Sequence, residues 1–303
     1  MLFNVCALYI KIMNNENQTI HKSDDNLTIY GWNEKLNQLK QESIYSALAH
    51  GRVSIVHRTC YEVISGNGLF QCELTGNMMY GKSDDELPCT GDWVIFQPFD
   101  EHKGIIVDSL PRERTLYRKK SGTVADKQAI ASYVDKAFIV QSLDDNFNVR
   151  RVERFMVQIM EENISSVLVL NKADLDFDRQ SVEEQIKHIS SQIPVFFTSI
   201  HQLETIVRLR KSISEGETVV FVGSSGVGKS SLVNALCEKP VLLTSDISLS
   251  TGKGRHTSTR REMVLMDSSG VLIDTPGVRE FGLAIDNPDS LAEVLEISDY
   301  AEL

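Results

Sequence analysis

Basic residues are scarce in this 303-residue chain: 31 Lys and Arg stand against 42 Asp and Glu, a formal net charge of −11. That balance argues against bulk electrostatic attraction to nucleic acid and leaves room only for a local basic face. Paired cysteines are missing as well. Cys6, Cys60, Cys72, Cys89 and Cys237 are scattered, with no C-x-x-C and no metal-ligand spacing. This is the usage of a reducing compartment, not of a disulfide framework. No apolar run approaches the about 20 residues that span a bilayer. The apolar start, residues 1–12, has neither a basic segment before it nor a small-residue cleavage site after it. That speaks against a signal peptide. The expectation is a cytoplasmic protein with no membrane partner, with Met13 the plainer first residue.

What is present begins with length. At 42% hydrophobic content the 303 residues can bury a sizeable core and suit two domains, with or without a tail. The stretch that organises the rest is Val219-Val220-Phe221-Val222-Gly223-Ser224-Ser225-Gly226-Val227-Gly228-Lys229-Ser230-Ser231. A buried strand, G-x-x-x-x-G-K-S and the opening of a helix make a P-loop in its confirming context. Its glycines let successive backbone N–H groups turn toward phosphate oxygens, and the helix N-terminus adds partial positive charge. Lys229 is assigned to the β- and γ-phosphates and Ser230 to Mg²⁺. Gly223 through Ser231 are the phosphate-binding candidates, and the ligand is a nucleoside triphosphate.

Ahead of this motif the pattern changes twice. Residues 1–30 read as a flexible extension, the stretch from 14 to about 27 being polar and unpatterned, and a short helix follows between 30 and 48. Residues 52–57, 61–64, 69–74, 92–97 and 104–109 are short runs rich in β-branched and aromatic residues, separated by turn signals. Five such strands fit a closed barrel of the OB type, an oligonucleotide platform or a mere spacer. Directly after it, residues 112–120 hold five basic residues around Tyr117. Arg112, Arg114, Arg118, Lys119 and Lys120 are candidates for a phosphate-backbone contact, the alternative being a solvated face. From residue 134 strands alternate with helices, which predicts a mostly parallel sheet covered on both faces. Met156, Met160 and Phe155 belong to one helical face and are expected in the core.

Three further motifs fall where strands of that sheet should end. Asn171-Lys172-x-Asp174 can read guanine, because a carboxylate at Asp174 accepts two parallel hydrogen bonds that adenine cannot donate. A buried site of that kind discriminates by about 10⁴-fold. Asn171 would brace neighbouring loops, the Lys172 stem would cover the base, and Thr198-Ser199 would offer backbone groups to it. Asp274-x-x-Gly277 supplies a carboxylate for Mg²⁺ and a glycine N–H for the γ-phosphate. From residues 244–261, Thr257 is the choice to complete the magnesium shell, with Thr259 the alternative. The guanine motif precedes the P-loop, the reverse of the Ras-like order, so the sheet is circularly permuted.

That order, Gly254-Arg255-His256-Thr257, the run Asp274-Thr275-Pro276-Gly277-Val278-Arg279-Glu280-Phe281 and the five-stranded domain together resemble the RsgA/YjeQ family, from about residue 31 onward. The resemblance implies an N-terminal all-β OB-type barrel on ribosomal RNA (residues 31–120) followed by a circularly permuted α/β P-loop GTPase domain (125–287). It also implies GTP/GDP with Mg²⁺, stimulation by the small ribosomal subunit in its late maturation, and a monomer. The family's zinc domain would begin near 288–303. The chain stops there without a Cys/His cluster, as a truncation or as a member lacking that domain, and no zinc site is assigned. Val278 stands where Ras-type enzymes carry a water-orienting glutamine. His256 is therefore the catalytic candidate beside Lys229 and Thr257, its alternative being an RNA-facing or merely exposed loop residue. A second reading is a guanine-nucleotide-gated RNA-binding module whose hydrolysis is incidental.

Overall fold

A computed structural model describes residues 24–83, 85–119, 127–238, 262–267 and 270–274. Five strands, β1 (Ala49–Val56), β2 (Tyr61–Ser65), β3 (Gly68–Leu74), β4 (Trp93–Asp100) and β5 (Lys103–Ser109), form the first unit. Their order is β1-β2-β3-β5-β4, and β4 returns to pair with β1, closing a barrel. The β3–β5 pair is parallel and the others are antiparallel. This is the OB-type closure, and it removes the open edges that five short strands would otherwise present. Alternation along β2 puts Tyr61 and Val63 inside, where they meet Val53, Phe70, Cys72, Val94, Phe96 and Ile106.

A segment before the barrel covers one side of it. Leu27, in a 3₁₀ turn at Asp24–Tyr30, is buried with Trp32, Leu36, Trp93 and Tyr133. The expectation of a flexible extension through residue 30 is corrected at this end, because Leu27 supplies core. Helix α1 (Glu34–Glu42) then starts at Asn33, whose side chain accepts a hydrogen bond from the Leu36 N–H. A short helix α2 (Gly76–Gly81) lies between β3 and β4.

Two strands join the units. β6 (Leu116–Lys119) pairs antiparallel with β7 (Lys127–Ala131), so half of the basic run is a strand. Thereafter come β8 (Lys136–Ser142), α3 (Val149–Glu161), β9 (Ser165–Asn171), α4 (Arg179–Gln185), α5 (Lys187–Ser190), β10 (Val195–Thr198), α6 (Leu203–Arg210), β11 (Thr218–Val222), α7 (Lys229–Leu236), β12 (Glu262–Leu265) and β13 (Val271–Asp274). Helices α4 and α5 meet at the buried Ile186.

The second sheet runs β10-β9-β8-β11-β13-β12, parallel throughout except for β12. Sequence order moves outward one way from β8 and the other way from β11, so the order reverses between these two strands. Ligands of open α/β sheets bind at that reversal, beyond the carboxyl ends of the strands. One face packs on α3 through Val152, Phe155, Met156 and Ile159, and the other on α6 and α7 through Ile206, Leu209, Leu232, Val233 and Leu236. Met160 is 41% exposed, so the core assignment made for it is corrected.

The barrel and this sheet are not independent. β12 meets β1 antiparallel at Glu262↔Ile55. Arg52 of β1 is 1% exposed. Its guanidinium donates to Gly91 O (3.0 Å), Thr218 Oγ1 (2.9 Å) and the Tyr30 and Tyr133 carbonyls. Burial pulls its pKa down to about 10 against the opposing effect of Asp135. A buried cation surrounded by acceptors in four segments resists their separation, because removing any one leaves charge desolvated.

Candidate nucleotide site

β11 ends at Val222, and the chain turns through residues 223–228 into α7, placing the loop beside the β8 terminus. Gly223 is packed so closely that a Cβ there would stand 2.3 Å from Val140 O. Gly228, with φ +92, precedes α7 without any side-chain cap. A helix start without a side-chain cap suits an anionic ligand. Ser224, Ser225 and Gly226 form the rim, and Val227 plugs the loop into the core. Lys229 Nζ donates to Gly223 O and Ser224 O, both at 2.6 Å. Ser230 and Ser231, half-buried, occupy the first turn of α7.

The end of β9 reaches into this loop. Asn171 is buried, donates from Nδ2 to Val227 O (2.8 Å) and accepts at Oδ1 from Thr198 Oγ1 (3.3 Å). Two strand ends and the phosphate loop are thereby tied by one amide. Lys172 has a left-handed backbone (φ 61) and its Nζ lies 2.7 Å from Asp144 Oδ2, in the turn after β8. Burial tends to raise the Asp144 carboxyl, but hydrogen bonds from Lys172, Ser142 and Asn146 prevail and bring it to about 2. Asp174 is exposed, and a hydrogen bond from Ser199 holds its carboxyl below the ordinary value. It is ionised and oriented, as an acceptor for two N–H groups must be.

Thr198 and Ser199 are held by bonds around the end of β10. Thr198 O accepts from Ala173 N (3.0 Å), the Ser199 N–H donates to Thr205 Oγ1 (3.0 Å), and Ser199 O accepts from Gln202 N (3.0 Å). Their side chains reach Asn171 and Asp174.

Asp274 closes β13, next to β11, and is buried at 7% exposure. Ser230 and Asp274 thus offer a hydroxyl and a carboxylate from adjacent elements, and this all-oxygen pair fits Mg²⁺. His256, Thr257, Thr259, Gly277, Val278 and Lys120 lie outside the described residues. No group of three or more His, Cys, Asp or Glu suited to a metal occurs among the described residues.

The basic run divides. Arg112 Nε and Nη2 donate to the fully buried Asp92 carboxylate (3.0 and 2.7 Å), Nη2 donates also to Leu87 O, and Nη1 donates to Asp85 O. Arg112 therefore helps hold the barrel together. Arg114 bonds Asp135 at 2.9 Å and Val134 O at 3.1 Å. Arg118, on β6, donates from Nε to the neutral Gln128 Oε1 (2.9 Å). It shares that short strand with Lys119.

A strand–loop–helix turn carrying the G-x-x-x-x-G-K-S sequence lies at the reversal of an open α/β sheet, beside a five-stranded barrel of OB type. The RsgA GTPase family matches residues 109–284. The chain belongs to that family and is a GTPase. It is 73% identical over 290 residues to small ribosomal subunit biogenesis GTPase RsgA 1 of Bacteroides thetaiotaomicron, covering 96% of this chain and 80% of that one. Against the RsgA protein of Methanosarcina acetivorans the identity is 36% over 300 residues, 95% and 79% of the two chains. In fold it is similar to YjeQ from Thermotoga maritima, with TM-score 0.61 and 24% identity over 78% of this chain and 77% of that one. It is also similar to YloQ, a circularly permuted GTPase, with TM-score 0.58 and 19% identity over 84% and 80%.

Proposed function

We propose that this GTPase is a guanine-nucleotide switch in late maturation of the small ribosomal subunit, holding ribosomal RNA with its barrel and stimulated by the subunit. The observation that carries the guanine reading is the Asn171 bridge to Val227 O, which couples the base-reading strand end to the phosphate loop. The names of the relatives supply the ribosomal context, and the barrel with Arg118 and Lys119 on an adjoining strand supplies a surface for RNA.

In this reading Asp174 pairs with the guanine edge and the Lys172 stem lies along the base. The rim N–H groups from Gly223 to Lys229 and the N-terminus of α7 take the phosphates, with Lys229 at the β- and γ-phosphates and Gly277 at the γ-phosphate. Ser230, Asp274 and Thr257 would hold Mg²⁺, which when bound would offset negative charge on the phosphates. His256 orients or accepts a proton from the attacking water. A protein working in this way acts in the cytoplasm as a monomer.

The test is turnover of GTP and ATP with and without purified small subunits. Slow GTP-only hydrolysis, about 10⁻⁴ to 10⁻² per second, rising many-fold with subunits is the expected result. GTP binding with turnover indifferent to subunits would replace the switch by the nucleotide-gated RNA binder. His256→Ala with undiminished stimulated turnover would remove the histidine from catalysis.

A further inference from the structure

We infer that Asp144 is a positioning residue for the purine ring, acting by fixing the pose of Lys172. The inference rests on the base-site reading of Lys172 given above and adds the group that makes this lysine stiff enough to serve. A free lysine stem has about 2 kcal/mol of rotamer entropy to lose on ordering, so an untethered Lys172 would be a poor wall for a base.

Asp144 is itself immobilised. Its Oδ1 accepts from Ser142 Oγ at 2.7 Å and from the Asn146 N–H at 3.0 Å, which leaves Oδ2 for Lys172 Nζ at 2.7 Å. The turn that carries it is closed by Phe147 N–H to Asp144 O (2.9 Å) and docked on the next strand by Leu143 N–H to Asn171 O (2.9 Å). Lys172 is constrained from its own side as well. Its φ of 61 aims the side chain away from the strand direction, and Leu175 N–H to Lys172 O (3.1 Å) closes its turn. With the backbone set at one end and the ammonium at the other, the four methylenes run from the β9 end to the β8 end. They cross the carboxyl edge of the sheet toward β8, the strand that borders the phosphate-loop strand. A purine whose edge meets Asp174 lies with its face on that stem.

Two properties separate this role from a surface ion pair. The pair is only partly exposed, with 34% of the lysine side chain and 24% of the aspartate side chain accessible. The carboxylate, at about 2, is also ionised throughout the range in which the enzyme can be assayed. The tether therefore does not switch with pH. It acts on any purine and leaves the choice of guanine to Asp174.

The experiment measures Kd for GTP, GDP and ITP, and KM and kcat for GTP, on Asp144→Ala, Lys172→Ala and the double variant of the full chain. Each single change should weaken GTP and GDP alike by about tenfold, as loss of a charge-assisted contact implies. The loss should fall mainly on KM, the GTP-to-ITP preference should stay as in the wild type, and the double variant should be no weaker than either single one. If Asp144→Ala lowers the melting temperature steeply, Asp144→Asn keeps an acceptor for Ser142 and Asn146 while removing the charge, and must still weaken both nucleotides. Lys172→Ala at wild-type affinity would overturn the base-site reading itself. Lys172→Ala weakened with both Asp144 variants at wild-type affinity, or with additive losses in the double variant, would overturn the role of Asp144 alone.

Discussion

Replacing Gly228 by alanine should damage the nucleotide domain before any nucleotide is added. Two separate costs act there. The φ of +92 lies in the left-handed region, where an L-residue costs about 1–2 kcal/mol. The new Cβ would also stand 2.4 Å from Asn171 Nδ2. Asn171 cannot stay there and keep its 2.8 Å bond to Val227 O. A carbonyl left without its donor inside the protein costs about 1–3 kcal/mol. Together they come to about 2–5 kcal/mol, or a melting point lower by about 4–20 °C for a domain of this size. Gly226 is the control, because its φ is +82 but nothing lies within 4 Å of a Cβ built on it. Gly226→Ala should show only the backbone cost, about 2–8 °C. The assay is thermal unfolding of nucleotide-free protein, repeated in an Asn171→Ala background. With the amide gone, Gly228→Ala should cost no more than Gly226→Ala does. Equal cost for Gly228→Ala with and without Asn171 would refute the claim that this glycine exists to admit the amide.

Arg112→Ala should lower stability by about 3–5 kcal/mol, since it strands the buried Asp92 carboxylate, and chemical denaturation reads this directly. Arg118→Ala combined with Lys119→Ala should leave the melting point near wild type while weakening RNA binding and flattening its salt slope; an unchanged slope would remove that surface. Thiol labelling of the folded protein at pH 8 should modify Cys60 well before Cys72, Cys89 or Cys237, which are buried. Burial raises the Cys72 thiol to about 12 and the Cys89 thiol further, so neither supplies thiolate at that pH. Labelling of Cys72 at the rate of Cys60 would contradict the closed barrel.

Much of this was legible in the chain because some structures demand particular residues at particular spacings. A phosphate loop needs its glycines and lysine in order, so residues 223–230 announce themselves. A small barrel needs short β-branched runs between turns, and five such runs appear. What was hidden depends on partners distant in sequence. Arg112 looks like one more cation in a basic run until Asp92, 20 residues earlier, is placed against it. Lys172 and Asp144 are separated by 28 residues and meet only because β8 and β9 are adjacent. Their one sequence signal is that both follow buried strands directly. Leu27 sits in a polar stretch whose composition masks a single anchoring side chain. Strands β6 and β12 are four residues each, too short for alternation to show.

Arg52 fills its acceptor sites from both sides of the junction, with the barrel's Gly91 on one side and Thr218, the root of the phosphate-loop strand, on the other. The connecting polypeptide is therefore not what keeps the lobes together. A protease nick between β6 and β7 should leave two fragments that still elute as one particle, with the strand that leads to the phosphate loop still anchored on the barrel.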